Sequence, residues 1–265
     1  MLPLRDVSLK SNIIRKIGWV IFTLAIFSAL LKLAYWQHSR AIEKQARLNK
    51  IAQLKHSNPI TLAQVVALTN NPQENINDMP VELSAKLNND FIFLLDNQVH
   101  QGQLGYRVFQ IAQTKNHAVL VNLGWVLGSI NRKELPEIPP IVGDQNFKAH
   151  VRVLEPGIVL KEDDFSSVSW PQRVQKIDIL AFNKLLKDQL TQPLLPFVIY
   201  VDETESIGYQ KIWQPIVMPP EKHQAYAFQW FCLAIAWLLL MAWVSGVFTW
   251  LKAYFQQKII ISNKV

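Results

Sequence analysis

The feature that most constrains this chain is a long run without charge near its carboxyl end. From Tyr226 to Leu251 the sequence has 26 consecutive uncharged and mostly apolar residues, whereas about 20 residues suffice for a helix that crosses a bilayer. Inside a bilayer only a helix or a closed barrel satisfies every backbone polar group. We therefore predict a transmembrane helix over residues 226–251.

A second apolar run, IGWVIFTLAIFSALLKLAYW, occupies residues 17–36 and contains one charge, Lys32. As a helix these residues extend about 30 Å, which again matches a bilayer. Lys32 lies one turn before Trp36, so its long side chain can reach the headgroups. The basic segment 1–16 is also typical of a signal peptide, but no A-x-A-like cleavage site follows the run. The sequence therefore favours a second membrane anchor.

The distribution of charge predicts the orientation of the chain. The formal net charge of +7 comes from residues 1–16, residues 252–265 and Lys32, whereas acids and bases balance between the two spans. By the positive-inside rule, both basic ends lie in the cytoplasm and the large middle part lies outside. The basic residues that follow the first span act against this orientation. A basic excess confined to the ends also argues against a nucleic-acid surface.

These observations predict a multi-pass protein of the bacterial inner membrane, because 16 residues before the first span leave little room for a mitochondrial transit peptide. The predicted parts are a cytoplasmic N-terminus (1–16), a first transmembrane helix (17–36), an extracytoplasmic α+β domain (37–225), a second transmembrane helix (226–251) and a cytoplasmic tail (252–265).

The residues between the two spans indicate mainly strands. Residues 37–58 continue the first helix, and Thr61 caps a second, short helix. Farther along, short segments rich in β-branched and aromatic residues alternate with polar turns, including a hairpin tip at Thr114–His117. Residues 178–190 have helical apolar spacing, and residues 209–219 are predicted to return to a strand. Because these strands mostly neighbour one another in sequence, we expect a mainly antiparallel sheet with one inserted helix.

No sequence pattern indicates an enzyme. The chain lacks a GxSxG elbow, an HExxH helix, a Gly-rich phosphate loop and a CxxC pair. Its one cysteine, Cys232, lies in the second span and its four methionines are scattered, so a soft copper site is not expected. The acidic run Glu162–Asp164 is more typical of a solvated loop than of a metal site. We therefore expect a protein without enzymatic activity.

Two rows of side chains lie at the outer ends of the spans. The first row contains Trp36, Arg40, Lys44 and Arg47. The second row contains His223, Tyr226 and Trp230. Within each row the residues recur at steps of three or four, so they share one side of a helix. Because the spans are antiparallel, both rows meet the same leaflet. An imidazole and a cationic row come together if the two helices touch.

More ordinary interpretations of these residues remain open. A histidine at a membrane interface often lies in headgroup water or binds a backbone carbonyl, and a basic row often contacts anionic lipid. Tryptophan and tyrosine are common at both membrane surfaces. Trp237 and Trp243 lie deeper, where an indole N–H needs a partner, which indicates contact with another membrane protein.

Several motifs resemble the Surfeit locus family of cytochrome oxidase assembly factors. LAYWQHSRAIEK (33–44) is similar to the LGxWQxxRxxxK stretch at the end of that family's first span. GQLGYRV (102–108) and VLVNLGWVLGSINR (119–132) resemble its Gly-Tyr and VxVNRGW segments. WQP (213–215) and KHQAYAFQWF (222–231) resemble the stretch that leads into its second span. Two positions depart from the family, which usually has Gly at Ala34 and Arg at Leu123.

The resemblance implies a role in building a haem-copper terminal oxidase, with binding of haem a or its hand-over to oxidase subunit I. For such a role, the two rows of side chains offer His223 as the candidate axial ligand of the haem iron and Arg40 and Lys44 as partners of the propionates. The expected haem-binding residues are Trp36, Gln37, Arg40, Lys44, His223, Tyr226 and Trp230. The expected partners are subunit I, haem A synthase and the phospholipid membrane.

Three other functions have the same two-span topology. A membrane-anchored scaffold would hold an oxidase subunit or an early assembly intermediate without touching haem. A two-span sensor would place a ligand-binding domain outside, although tails of 16 and 14 residues leave no room for an output domain. A chain-length regulator of surface polysaccharide also has two spans, but its outer domain would be rich in long helices.

Overall fold

The structure is a computed structural model that describes residues 4–246 except residues 56, 72, 155–162, 164, 166 and 167, with side chains from residue 14 onward. It divides into two compact units. The helix unit contains the chain up to Asn49 and from Ile216 onward, and the sheet domain runs from Lys50 to Pro215. The predicted tail 252–265 lies outside the described residues.

The helix unit contains two long apolar helices. Helix α1 runs from Leu4–Leu54 and α4 from Pro220–Val244. Both are long and apolar enough to cross a membrane. Helix α1 confirms that the first apolar run continues as a helix, although it ends four residues before the predicted position 58. Helix α4 begins six residues before the predicted span because Pro220 suits the first turn of a helix, where no N–H partner is needed.

In the described part of the sheet domain, seven strands combine with two short helices. The strands are β1 (Ile60–Thr61), β2 (Pro80–His100), β3 (Gln103–Gln113), β4 (Ala118–Leu127), β5 (Asp144–Arg152), β6 (Gln172–Val174) and β7 (Leu194–Val201). The helices are α2 (Leu62–Thr69) and α3 (Ile179–Leu185). Five strands follow the order β2-β3-β4-β7-β5, and β5 pairs again with β2, so this part of the sheet is closed.

The length of β2 makes this closure possible. Its first residues, Pro80 to Lys86, pair with β5, and from Lys86 to His100 the strand pairs with β3, so the partner changes at Lys86. Within the pairing with β3 the register shifts between Asn88 and Ile92 and between Leu95 and Gln98. Because each strand of the closed set has two neighbours, its backbone groups are largely removed from edge-to-edge pairing with other chains.

The sheet is mixed. Its pairs β2–β3, β2–β5, β3–β4 and β5–β7 are antiparallel, as the prediction of a mainly antiparallel sheet expects, but its parallel pairs were not predicted. The pairs β1–β2, β2–β6 and β4–β7 are parallel. The chain leaves β4, forms β5, β6 and α3, and then returns as β7 between β4 and β5. A strand that returns after such a crossover can run parallel to its new neighbour. Sequence adjacency does not reveal this insertion.

The local predictions in this domain are mostly confirmed. Thr61 and Gln64 form a capping box at the start of α2, and the backbone N–H of Thr114 donates to the carbonyl of His117 at 2.9 Å in the hairpin tip. Asp178 caps α3 through the N–H of Ala181 at 3.0 Å. Helix α3 ends at Leu185, five residues before the predicted end.

The segment predicted as a strand at 209–219 forms only an isolated bridge, between Gln210 and Trp125. Of the acidic run, Glu162 and Asp164 lie outside the described residues. Asp163 accepts hydrogen bonds from the backbone N–H groups of Gln175 and Lys176, which is a structural role.

A bulge in β4 depends on a glycine. Between Val108 and Phe109 of β3 the register with β4 shifts, so that Gly124 and Asn122 are paired and the residue between them is not. Gly124 has φ +119°, and a Cβ there would lie 2.7 Å from the carbonyl carbon of Tyr209 and 2.8 Å from the oxygen of Gln210. Glycine is therefore required both by the backbone angle and by the close approach of the next segment.

A buried carboxylate joins distant parts of the sheet domain. Asp96 is 6% exposed and accepts hydrogen bonds from the Arg132 guanidinium, from the backbone N–H of Asn97 at 2.7 Å and from the amide of Gln175 at 3.2 Å. Burial raises the pKa of Asp96, but the bonds from Arg132, Asn97 and Gln175 together outweigh burial and lower the pKa on balance. The charged form is therefore the one that stabilises the fold.

We predict that Asp96→Asn lowers the free energy of unfolding by about 3 kcal/mol at pH 7, because it removes the charge that Arg132 faces. A carboxylate with a lowered folded pKa stabilises above its unfolded pKa, near 3.9, and loses this effect as pH falls through the folded pKa. The difference between wild type and variant, measured by chemical denaturation, should shrink below about pH 4. Asp188→Asn, at an exposed carboxylate, should change little at any pH; an equal loss there would contradict the prediction.

We also predict that Gly124→Ala lowers the free energy of unfolding by about 2 kcal/mol or more, since the methyl group meets two backbone atoms. For a domain of this size the melting temperature should fall by about 5 °C. Gly143 has φ +81° but open space around it, so Gly143→Ala provides the matched control for backbone angle alone. It should cost about 1 kcal/mol. Equal losses at both positions would show that the close approach of Tyr209 and Gln210 does not matter.

Candidate functional site

Helices α1 and α4 contact each other at two levels. His223 Nδ1 lies 2.7 Å from Gln37 Oε1, and the indole N–H of Trp237 donates to the carbonyl of Thr23 at 3.1 Å. From the first contact to the second, α1 goes back from residue 37 to 23 while α4 goes forward from 223 to 237. The two helices are therefore antiparallel and keep one register over about 21 Å.

The less exposed positions of both helices recur with the same spacing. On α1 they include Thr23, Phe27, Leu30, Ala34, Gln37, Ala41 and Lys44. On α4 they include Pro220, His223, Ala227, Trp230, Ala234, Trp237 and Met241. Steps of three and four in alternation form the heptad spacing of paired helices. We call these two series the helix seam.

Small residues in the helix seam allow the backbones to approach. Ala34 and Ala234 are 9% and 1% exposed, although most neighbouring side chains on both helices are exposed. Small residues are typical of helix pairs in membranes, where close packing stabilises the pair. The change from the family's usual Gly to Ala34 therefore adds one methyl group at a position that still accepts it.

The indole of Trp237 finds its partners on α1 of the same chain. Its N–H partner is the Thr23 carbonyl of the same chain, and its ring packs edge to face against Phe22 with centroids 5.9 Å apart. The expectation that this indole seeks another membrane protein is therefore wrong. Trp243, in contrast, is 71% exposed and stays a candidate for such a contact.

The contact with Gln37 defines the state of the His223 ring. A glutamine oxygen can only accept a hydrogen bond, so the Nδ1 atom of His223 carries the hydrogen. In a neutral ring the lone pair then lies on the second nitrogen, Nε2, and no described residue donates a hydrogen bond to Nε2. His223 is 9% exposed, and its ring is held at the packed face of α4 rather than in the surrounding medium.

The basic residues Arg40 and Lys44 of α1 share an acidic partner, Glu43, that the sequence did not lead us to expect. Glu43 accepts from Arg40 at 2.6 Å and from Lys44 at 3.1 Å. The Arg40 guanidinium also lies 5.9 Å from the ring centre of Trp36. The spacing of three residues between Arg40 and Glu43 is the signal that predicts such a pair on a helix.

The structure divides the two predicted rows. Gln37, Lys44, His223 and Trp230 belong to the helix seam. Trp36 and Tyr226 are 48% and 44% exposed and lie outside it, as does the exposed Arg40. Each predicted row thus lies partly in the helix seam and partly beside it, and the haem-binding roles of all seven residues stay predictions.

A comparison with protein families identifies the chain's relatives. A model of the SURF1 family matches residues 24–235, from the first apolar helix through the sheet domain into α4. The chain belongs to the SURF1 family. The resemblance inferred from the motifs is therefore confirmed. This family is known generally for oxidase assembly factors. A comparison with curated proteins gave no match.

Several residues of the SURF1 motifs have structural roles in the sheet domain. A Cβ on Gly105 would lie 2.1 Å from the carbonyl oxygen of Val126 and 2.6 Å from the Trp125 ring, so glycine allows the close approach of that indole. The Trp125 N–H donates to the carbonyl of Gln98 at 2.8 Å. Leu123, which replaces the family's usual Arg, is fully buried in the apolar core, where it needs no polar partner.

We predict that cysteines at positions 37 and 223 cross-link efficiently through a short bis-maleimide, because these side chains touch. The experiment uses Gln37→Cys with His223→Cys in a Cys232→Ser background, which removes the one native cysteine. Intramolecular cross-linking of the membrane-embedded chain is measured by a mobility shift on denaturing gels. Cysteines at the exposed positions 36 and 226 are the matched pair and should cross-link poorly. Equal yields from both pairs would contradict the observed seam.

Proposed function

We propose that this SURF1-family protein is a non-enzymatic assembly factor for a haem-copper terminal oxidase, and that its helix pair binds haem a before oxidase subunit I receives it. We place it in the bacterial inner membrane, with the sheet domain on the extracytoplasmic side. The apolar lengths of α1 and α4 support membrane anchoring, and the basic ends support the orientation. Haem A synthase, as the source of haem a, and subunit I, as its recipient, are the proposed partners.

The observation that most supports this proposal is the hydrogen bond between Gln37 and His223. A histidine that ligates a metal almost always donates its other ring N–H to an oxygen, which fixes the tautomer and raises the basicity of the ligating nitrogen. The 2.7 Å contact has this form and leaves Nε2 of His223 as the ligating atom. One histidine on one side of the iron is a common way for proteins to hold haem. The residues present therefore fit a haem group.

The rest of the proposed site supplies groups for the polar edge and the flat ring. Arg40 and Lys44 pair with Glu43 on an exposed surface, where an ion pair contributes only about 0–1 kcal/mol. A propionate can therefore replace Glu43 at little cost. Trp36 on α1 and Tyr226 and Trp230 on α4 supply aromatic faces for the flat ring. Haem a itself supplies its redox chemistry only after transfer into the oxidase.

Spectroscopy tests the proposed ligation directly. Full-length protein in detergent is titrated with haem a, and the Soret band is followed. His223→Ala should abolish the shifted Soret band, whereas His38→Ala, one residue from Gln37 but exposed, should leave it unchanged. Gln37→Ala should weaken haem binding about 10- to 100-fold and shift the band, because it removes the hydrogen bond that orients the ligand. An unchanged spectrum for His223→Ala would refute ligation by this residue.

The same variants separate haem delivery from a scaffold without haem. In a deletion strain, wild-type protein and His38→Ala should restore the haem a content of the terminal oxidase, and His223→Ala should not. If His223→Ala restores haem a content and still co-purifies with subunit I, the protein acts as a scaffold. If His223→Ala lowers the amount of assembled oxidase but leaves the haem a content of each assembled oxidase unchanged, the result would also favour the scaffold.

A further inference from the structure

A small cleft in the sheet domain supports an inference that is independent of the helix unit and goes beyond the proposed function. The cleft lies where β3, β4 and β7 meet the segment that follows Tyr209. Its volume for the centres of water-sized groups is about 20 Å³, which is enough for one or two such groups. The lining residues that matter here are Arg107, Asn122, Tyr200, Lys211 and Trp213.

Arg107 is the main reason to expect a ligand. It lies on β3 between Leu95 of β2 and Trp125 of β4. Its Nε atom is buried and has no hydrogen-bond partner, and no described residue forms an ion pair with its guanidinium. Leaving a buried charged donor without an acceptor is unfavourable. An acceptor oxygen in the cleft would remove this penalty.

Lys211 adds a second positive charge, and one of its ammonium hydrogens is available to a ligand. Its ammonium group donates to the carbonyls of Ile207 and Tyr209, which occupies two of its three hydrogens. Burial lowers the pKa of Lys211, and the nearby Glu205 acts in the opposite direction. An anion in the cleft would favour the charged form in the same way.

The other lining groups suit an anion with a small polar head. Asn122 accepts from the backbone N–H of Gly124 at 2.9 Å through its oxygen, so its amide nitrogen remains as a donor. The rings of Tyr200 and Trp213, with centroids 5.6 Å apart, form an aromatic wall. None of the described lining residues is acidic, so the cleft combines two positive charges with a neutral donor.

The backbone holds Lys211 and Trp213 in place although this segment is not a regular strand. The N–H of Tyr209 donates to the carbonyl of Leu123 at 2.7 Å, and the N–H of Trp125 donates to that of Gln210 at 2.7 Å. Gly208 makes this approach possible, because a Cβ there would lie 2.4 Å from the oxygen of Leu123. The cleft is therefore built by the fold rather than by mobile surface side chains.

We propose that this cleft binds a single carboxylate group, presented either by a small organic acid or by an acidic side chain of another protein. A carboxylate has two oxygens and matches the fork of an arginine, and its size fits a space for one or two water-sized groups. A phosphate group, with four oxygens, is too large for this space.

The test titrates the full-length protein in detergent with acetate, with a blocked aspartate (N-acetyl, N′-methylamide) and with inorganic phosphate at constant ionic strength. Binding is followed by tryptophan fluorescence, since Trp213 lines the cleft, and by the melting temperature. Acetate or the blocked aspartate should give saturable changes. Arg107→Gln should weaken this binding about 10-fold or more, because a charge-assisted hydrogen bond is lost. Arg107→Lys keeps the charge but not the fork of the guanidinium, so its affinity should lie between those of wild type and Arg107→Gln.

Lys187→Gln is the control for charge, because Lys187 is exposed and does not line the cleft. Circular dichroism shows whether each variant is folded. Tighter binding of the blocked aspartate than of acetate identifies a protein side chain as the source, and the reverse identifies a small acid; both support the proposal. Preference for phosphate, a lack of saturation, or equal affinities of wild type and folded Arg107→Gln would overturn it.

Discussion

The hydrogen bond between His223 and Gln37 is the interaction on which the helix unit depends. Two long apolar helices have few features that select one register, because apolar side chains pack in many ways. A polar group left without a partner in apolar surroundings is unfavourable, so an imidazole and an amide at the same level strongly favour the register that joins them. The contact of Trp237 with Thr23 then follows in the same register.

The same interaction connects the structure to the proposed function. The amide oxygen of Gln37 determines which nitrogen of His223 is protonated and therefore which one can bind a metal. The seam also restricts the ring to one orientation. A packing feature and a binding feature thus coincide in one pair of residues, and the basic pair Arg40 and Lys44 lies farther along the same helix with Glu43 between them.

The sheet domain follows a different principle. Its stability comes from a closed set of strands and an apolar core, and its glycines are placed where backbones meet. Gly105, Gly124 and Gly208 each stand where a side chain would meet backbone atoms. Gly124 and Gly208 let the segment after Gly208 lie against β4. That segment in turn supplies Lys211 and Trp213, which line the cleft beside Arg107.

The sequence by itself determined the two apolar helices, the capped α2, the hairpin tip and the family, because these depend on composition, local spacing and short motifs. It also indicated most residues of the helix site, since helical periodicity places Gln37 and His223 near the ends of the spans. Only the tertiary structure decided that these two residues touch, that β7 runs parallel to β4, and that Arg107 and Lys211 share a cleft. Each of these facts joins residues far apart in the chain, and their pairing depends on packing and on crossover connections that local patterns do not encode.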